Sequence, residues 1–214
     1  MLENPISDLI AFLTEPGWPT PVLWLFLISG GAIAAGVWRR FPEQRNFSHL
    51  VQWGCRVVMG GLWWQQSLWK LPPFYTNHPE APLTTSRAYW MGQMGKYAAI
   101  PLQADLVNNV VLTHFCVFAP MVYVAEVLTG VSLMLGVFTR FFAVIGALQI
   151  LNIWLGLYNA PGEWPWNYFI LLLLNLMFAL NCYGRSLGID AFLSASTGDR
   201  HGIGLLGRVI AAAS

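Results

Sequence analysis

The chain has 214 residues, of which 56% are hydrophobic and only 10% are charged. Soluble domains usually carry about 25% charged residues, so this composition predicts a membrane protein. The formal net charge of +1 excludes a strongly basic protein that binds nucleic acid through its overall charge.

Residues 1–19 are predicted to form a short amphipathic helix on the outer membrane surface. Apolar residues recur there at helical spacing, namely Ile6, Leu9, Ile10 and Leu13. Pro16 and Gly17 then end the helical pattern. The segment contains no Lys or Arg, so the positive region of a secretory signal peptide is missing from it.

Five later stretches are apolar and long enough to cross a bilayer core of roughly 30 Å, which takes about 20 helical residues. They are Thr20–Trp38, His49–Leu71, Val110–Gly136, Thr139–Tyr158 and Pro165–Tyr183. A polar outer segment, residues 72–109, separates the second span from the third and contains an amphipathic piece around Ala88–Ala99. The expected fold is an all-α membrane bundle.

The arginines predict the orientation of these spans, because cytoplasmic loops are enriched in Lys and Arg. They follow the first span, separate the third from the fourth and follow the fifth: Arg39, Arg40, Arg45, Arg140, Arg185, Arg200 and Arg208. The N-terminus is therefore expected outside and the tail, residues 194–214, in the cytoplasm.

The first span carries small residues four apart, at Gly30/Ala34, Gly31/Ala35 and Ala32/Gly36. Small residues at this spacing let another helix approach closely, either within the bundle or from a partner subunit. Most of the eleven tryptophans lie toward the outer side. Three interpretations of this distribution are open. The tryptophans form an interfacial aromatic belt, or they line an outer cavity for a flat apolar ligand such as a quinone ring, or they contact a partner subunit.

Glu126 lies in the middle of the third span, which holds no other formal charge. A carboxyl group at that depth costs roughly 2.5–3.5 kcal/mol on insertion scales unless it is paired, protonated or hydrated. Arg56 lies in the inner half of the antiparallel second span, so a Glu126–Arg56 pair is expected. This pair either holds the bundle together or forms a proton or substrate relay.

The remaining polar residues give weaker indications. Cys55, Cys116 and Cys182 have no zinc or redox spacing, so they are expected to pack as small buried hydrophobes. His49 and His114 lie at different depths, which argues against paired haem ligands. No haem or metal motif is present in the sequence.

Three patterns resemble a known family. The second span reads Arg56…Gly60…Lys70, and the third reads Glu-x3-Gly-x2-Leu-x2-Gly-x2-Thr-Arg from Glu126 to Arg140. The chain then carries Gly-Arg-x4-Asp, ending at Asp190. These patterns, over about residues 48–193, resemble the DoxX/DoxD family of prokaryotic membrane proteins. Ser67 departs from the small residue, usually Gly, that the family has three before the Lys.

The resemblance implies a four-helix core over residues 48–193, to which residues 20–47 add an N-terminal helix and a cytoplasmic loop. The long outer segment is similar to the DoxD type, the subunit linked to thiosulfate:quinone oxidoreductase. The location implied is the prokaryotic cytoplasmic membrane. The chemistry implied is transfer of electrons, originating in reduced sulfur compounds, to quinone.

On that hypothesis Glu126 and Arg56 manage a proton beside the quinone. An anionic or aromatic substrate is expected at Lys70, Trp63, Trp64, Trp166 and Tyr168. Arg140, Arg185 and Asp190 are expected to form a structural cluster of ion pairs at the cytoplasmic side.

A second hypothesis is a non-catalytic accessory subunit that scaffolds a larger energy-converting complex. The extra span, the surface helix and the lack of a self-contained cofactor motif favour this function. A small transporter or channel is the remaining alternative. In either of the first two cases the lipid bilayer and other membrane or redox subunits are the expected partners.

Overall fold

A computed structural model describes residues 4–73, 75–76, 86–198 and 213. Most of the predicted tail, with Arg200 and Arg208, lies outside the described residues. All regular structure in the described part is helical. The α-helices are α1 Pro5–Thr14, α2 Pro19–Arg40, α3 Phe47–Leu68, α4 Arg87–Lys96, α5 Pro101–Leu106, α6 Phe115–Leu135, α7 Thr139–Gly156, α8 Pro165–Leu180 and α9 Ile189–Gly198.

Each of the five predicted spans overlaps one of the longer helices. Three of them, α2, α6 and α7, are long and apolar enough to cross a membrane. Helix α3 has 22 residues, but its interior includes Arg56, Gln65 and Gln66, which lower its hydropathy. Helix α8 has only 16 residues. The third span is also shorter than expected, because α6 begins at Phe115, after a π-helical turn at Val107–Val111.

Side-chain caps define several helix starts. The Asn4 side chain accepts hydrogen bonds from the N–H groups of Ile6 and Ser7 at the start of α1. Asn46 accepts from the His49 N–H at the start of α3, and the Ser86 hydroxyl accepts from the Tyr89 N–H at the start of α4. Such caps satisfy N–H groups that have no partner within the helix. The cap at Ser86 also fixes the position of Arg87.

The bundle is built from two tightly packed pairs, α3 with α6 and α7 with α8, and α6 also packs against α7. The main core cluster lies where these pairs meet and includes Met59, Trp63, Leu133, Ala147 and Phe178. The four helices correspond to the predicted core, residues 48–193. Helix α2 packs on the outside of α3 and α6.

The small residues of α2 are divided between two faces. On one face Gly30 lies against the backbone of Met134, where an added Cβ would be 2.9 Å from the carbonyl oxygen, and Ala34 is buried. On the other face no neighbouring atom lies within 4 Å of a Cβ built on Gly31. The first face therefore serves packing within the bundle, and the second is open.

Helix α1 forms within the predicted segment and rests on α2. The Trp24 indole N–H donates to the Leu13 carbonyl at 2.9 Å. Ile6, Leu9 and Ile10 are exposed, so the outward face of α1 is apolar, as expected for a helix at a membrane surface.

All three cysteines are exposed, so the prediction of buried cysteines is wrong. Cys55, Cys116 and Cys182 lie on apolar helices or directly after one. In a membrane bundle the outer surface of a helix is itself apolar, so an apolar sequence neighbourhood does not imply a place in the core.

Residues 86–111 fold back onto α7. The Gln103 side chain donates to the Asn152 side-chain oxygen at 2.6 Å, and the Ala99 N–H donates to the Leu155 carbonyl at 2.7 Å. Gly156 allows this approach, because a Cβ there would lie 2.8 Å from the Met94 side chain. This segment forms one wall of the cavity described next.

Candidate ligand cavity

Glu126 lies in the middle of α6 and is only 2% exposed. One of its carboxylate oxygens accepts a hydrogen bond from Lys70 Nζ at 2.7 Å, and the other accepts from Arg87 Nη2 at 2.6 Å. Arg87 Nη1 also donates to the Ala119 carbonyl at 3.0 Å. We refer to Glu126, Lys70 and Arg87 as the triad. Because hydrogen-bonded ion pairs reduce the cost of buried charge, the triad explains how Glu126 is kept at this depth.

The chain brings the triad together from both ends of one segment. Lys70 directly follows α3, where the helix has ended, and Arg87 is the first residue of α4. Both ends of the segment that joins α3 to α4 therefore meet at α6. The side chains of Lys70 and Arg87 are 9% and 4% exposed.

The predicted Glu126–Arg56 pair is wrong. Arg56 is fully buried, but its guanidinium donates to the Leu133 carbonyl at 2.5 Å and to the Ser186 carbonyl at 3.4 Å. The carboxylate whose negative charge acts on the Arg56 guanidinium is that of Asp190. Helix geometry explains the difference, since Arg56 lies more than three turns before the end of α3 and Lys70 lies after that end, so the two cations are at different levels.

Asp190 caps α7 from the other end of the chain. Its two oxygens accept from the N–H groups of Phe138 at 2.8 Å and Thr139 at 3.1 Å. Burial raises the pKa of Asp190, and these two donors and the nearby Arg56 oppose that rise. The side chain therefore holds the start of α7 against the segment after α8.

The predicted ion-pair cluster of Arg140, Arg185 and Asp190 is not formed as expected. Arg140 donates to the Ala179 carbonyl at 3.0 Å and has no salt bridge in the described part of the chain. Arg185 lies in the short 3-10 turn Tyr183–Arg185. Asp190 instead has the backbone N–H groups of the α6–α7 turn as its direct partners.

An open cavity of about 810 Å³ lies beside the triad, between α6, α7 and residues 86–111. Most of its wall is apolar or aromatic, and all three triad residues line it. The apolar and aromatic lining comprises Trp69, Trp90, Met91, Met94, Leu106, Val107, Val111, Phe118, Val122, Ile145, Leu148, Ile153 and Leu157. Leu106 and Leu148 are exposed on the outer surface of the helices, so the cavity opens toward the apolar exterior of the bundle.

Gln149 contributes a second polar group to the cavity. Both polar atoms of its amide are buried and have no hydrogen-bond partner. Glu126 lies nine residues before the end of α6 and Gln149 lies ten residues after the start of α7, so the two residues lie at about the same level of the bundle. A buried amide without partners costs about 1–3 kcal/mol, which a ligand with a donor and an acceptor would recover.

A different polar pair lies near the other end of α7. The Tyr168 hydroxyl donates to a Glu163 carboxylate oxygen at 2.7 Å, and both residues line the cavity. Tyr168 packs against the buried cluster of Met94, Val107 and Leu157. From Gln149 to Leu157 the helix rises roughly 12 Å. The cavity is therefore elongated, with polar groups toward both ends and an apolar stretch between them.

The structure brings together only part of the predicted substrate-binding set. Lys70 and Tyr168 line the cavity. Trp63 lies in the core, where its indole N–H donates to Asn175 at 3.3 Å. Trp64 borders a separate cavity of about 660 Å³ between α1, α2 and α3. Trp166 is half exposed and packs against Phe169.

Sequence reasoning missed Arg87 and Gln149. Arg87 falls within the predicted polar outer segment, and Gln149 falls within the predicted fourth span. The signal for Arg87 was the capping Ser86 directly before it, which predicts that a helix begins there. The signal for Gln149 was its position, which matches that of Glu126 across the turn between the two spans.

Among the described residues, no three His, Cys, Asp or Glu side chains are grouped so that they could hold a metal ion. Comparison of the chain with protein-family models, curated proteins and solved structures finds no match.

Proposed function

We propose that this chain is a membrane-embedded subunit of an oxidoreductase and that it binds quinone in the cavity beside the triad. The observation that carries the proposal is the combination of a buried Lys70–Glu126–Arg87 triad with an elongated apolar cavity that opens to the exterior of the bundle. The DoxX/DoxD resemblance supports the same function and supplies its electron source, reduced sulfur compounds.

In this proposal the chain has five spans, with α2 as an addition to a DoxX-like core of α3, α6, α7 and α8. The N-terminus lies outside, and the membrane is the prokaryotic cytoplasmic membrane. The three helices that meet the length and hydropathy needed for a span support a membrane location, as does the apolar exposed surface of the bundle.

The lining fits the shape and polarity of a quinone. A flat ring has aromatic and thioether surfaces to pack against in Trp69, Trp90, Met91 and Met94. Lys70 and Arg87 are donors for a carbonyl oxygen, and the Gln149 amide offers a further donor. The volume of about 810 Å³ lies within the usual range for small-molecule sites.

Quinone, when bound, accepts two electrons and two protons. The triad would orient the ring through Lys70 and Arg87, while Glu126 would keep both cations in place and hold or release a proton at its carboxylate. Tyr168 and Glu163 would offer a second proton-holding pair toward the other end of the cavity. Arg56 has no direct part here, because it contacts the backbone of Leu133 and Ser186.

The test is quinone reduction by the intact complex in native membranes, with Glu126→Gln compared with wild type. We expect the variant to lose most quinone reduction while the complex still assembles, because the amide keeps the shape of the side chain but carries no charge. Glu15→Gln, an exposed residue of the α1–α2 connection, is the matched control and should retain the full rate. A wild-type rate in Glu126→Gln would overturn the proposal.

A non-catalytic accessory subunit is the second candidate. It is favoured by the open face of α2, where Leu25 and Ile28 are exposed beside Gly31, and by the exposed apolar face of α1. Gentle purification from native membranes with mass spectrometry of the co-purifying chains tests it. A stoichiometric complex that keeps full activity in Glu126→Gln membranes would favour the accessory function.

A further inference from the structure

We infer that the cavity selects an amphiphile whose head group carries a negative charge. The inference deepens the proposed function, on which it rests for the use of this cavity, by naming the class of head group that the triad recognises. Its basis is the charge and the unused hydrogen-bonding capacity of the buried residues.

The triad has an excess of positive charge. Lys70 and Arg87 both bond to Glu126, and among the described residues no other carboxylate lies within salt-bridge distance of either cation. Two cations and one carboxylate leave a formal charge of +1 in a site whose side chains are nearly buried. Uncompensated buried charge is costly, so an anion at this position would be stabilised.

The cations also retain unused donors. A Lys ammonium has three N–H donors and an Arg guanidinium has five. The described hydrogen bonds use one from Lys70 and two from Arg87. Gln149, at the same level as Glu126, adds an amide with no partner. An oxygen-rich anionic head would therefore find several donors converging on it.

The other carboxylate that lines the cavity, Glu163, does not neutralise this excess. It accepts from the Tyr168 hydroxyl, and Tyr168 packs against the cluster of Met94, Val107 and Leu157. Leu157 lies roughly 12 Å along the chain direction of α7 from Gln149. The cavity thus has a positive end at the triad and a negative end at Glu163. An amphiphile would be oriented with its anionic oxygen at the triad and its apolar part along Met91, Met94 and Val107.

Two kinds of amphiphile carry a negatively charged, oxygen-containing head group of this type: a quinone with an ionised hydroxyl group, and a fatty acid with its carboxylate. The experiment measures equilibrium binding to the full-length chain in lipid nanodiscs, using two matched pairs of probes at neutral pH. One pair is a 2-hydroxy-3-alkyl-1,4-naphthoquinone and its 2-methyl analogue with the same alkyl chain. The other pair is dodecanoate and dodecanol.

We expect the anionic member of at least one pair to bind about tenfold more tightly than its neutral partner, as charged hydrogen bonds of this kind provide. Lys70→Met should abolish the preference, because the remaining Arg87–Glu126 pair is neutral. Glu126→Gln should increase it, because the site then carries a formal charge of +2. Lys96→Met, at an exposed residue outside the cavity, is the control and should leave the preference unchanged.

Gln149→Leu keeps the measurement informative if Lys70→Met fails to fold. It conserves side-chain bulk and should weaken the anionic member of a pair more than the neutral one, because a hydrogen bond to a charged acceptor is the stronger of the two. Retained folding of each variant is checked by its elution volume and thermal transition.

The outcomes separate this inference from the proposed function. Equal binding of the hydroxylated and methylated quinones, with no preference for dodecanoate over dodecanol, would overturn the inference and leave quinone binding intact. Tight binding of dodecanoate with no binding of either quinone would support the inference and overturn the quinone function. Absence of binding by all four probes would overturn both.

Discussion

Gly60 and Gly130 face each other where α3 crosses α6. A Cβ built on Gly60 would lie 2.8 Å from the Gly130 carbonyl oxygen, and one built on Gly130 would lie 3.1 Å from the Gly60 carbonyl oxygen. The two backbones are therefore in direct contact, which is the close packing that small residues allow between membrane helices. This contact sets the distance between α3, which Lys70 directly follows, and α6, which carries Glu126.

Gly130→Ala is expected to destabilise the bundle by about 1–3 kcal/mol, because the added methyl group overpacks a contact between two backbones. The matched control is Gly61→Ala on the neighbouring position of α3, where no atom lies within 4 Å of the added Cβ. That control should be neutral or stabilising by up to about 1 kcal/mol, since Ala is the better helix former. Thermal unfolding in one detergent measures both. Equal stability of the two variants would show that the helices do not touch at Gly130.

The helix that carries Glu126 was predictable from the sequence, and the partners of Glu126 were not. The length and apolar character of the sequence predict five spans and place Glu126 in the middle of the third. Which cation pairs with Glu126 depends on the level of the bundle that each long side chain reaches. Lys70 and Arg87 lie at the two ends of the segment that joins α3 to α4, and no sequence periodicity specifies the path of that segment. Arg56 was the predicted partner of Glu126 because it lies inside a span, but its guanidinium donates to backbone carbonyls instead.

A double-mutant cycle distinguishes the two pairings. Arg87→Met combined with Glu126→Gln should show a coupling energy of about 1.5 kcal/mol or more, because the two side chains share a buried hydrogen-bonded ion pair. The same cycle with Arg56→Met should give coupling within about 0.5 kcal/mol of zero, since Arg56 and Glu126 share no partner. Free energies of unfolding in detergent supply the data. Strong coupling in the Arg56 cycle together with none in the Arg87 cycle would contradict the described geometry.

Asp190 makes stability depend on pH in a defined direction. Burial raises the pKa of Asp190 above its ordinary value of 3.8, with Arg56 and the N–H groups of Phe138 and Thr139 opposing the rise. A raised pKa means that the folded protein keeps the proton to higher pH than the unfolded chain does. The contribution of this group to stability therefore decreases as pH increases from 3.8 through the raised value.

Asp190→Asn removes that dependence and one of the two accepting oxygens. The variant is expected to be less stable than wild type by about 1–2 kcal/mol, the usual effect of losing a helix cap. The difference should shrink as pH increases through the same window, because only the wild type loses stability there. Denaturation at a series of pH values checks this. A difference that grows with pH would show that the carboxylate form is the one favoured by folding.

The wall formed by residues 86–111 was predicted only as a polar segment with one amphipathic piece. Its return onto α7 depends on specific side-chain bonds between Gln103 and Asn152, which are far apart in sequence and follow no repeat. Composition identifies such a segment as polar but does not show which helix it covers. For the same reason the cavity between this segment, α6 and α7 could not be predicted.

Asn152→Ala is expected to loosen that wall without unfolding the bundle. The variant removes the acceptor of the 2.6 Å bond from Gln103, so α5 should lose about 1 kcal/mol of local stability. Hydrogen–deuterium exchange of residues 86–111 should then be about fivefold faster, while exchange in α3 and α6 stays unchanged. The control is Asn181→Ala, whose side-chain amide bonds only to the Met177 carbonyl at the end of α8.

Because Met91, Met94 and Val107 lie on the same wall, Asn152→Ala should also bind any ligand of the cavity more weakly. Unchanged exchange in this segment would mean that the Gln103–Asn152 bond does not hold it against α7.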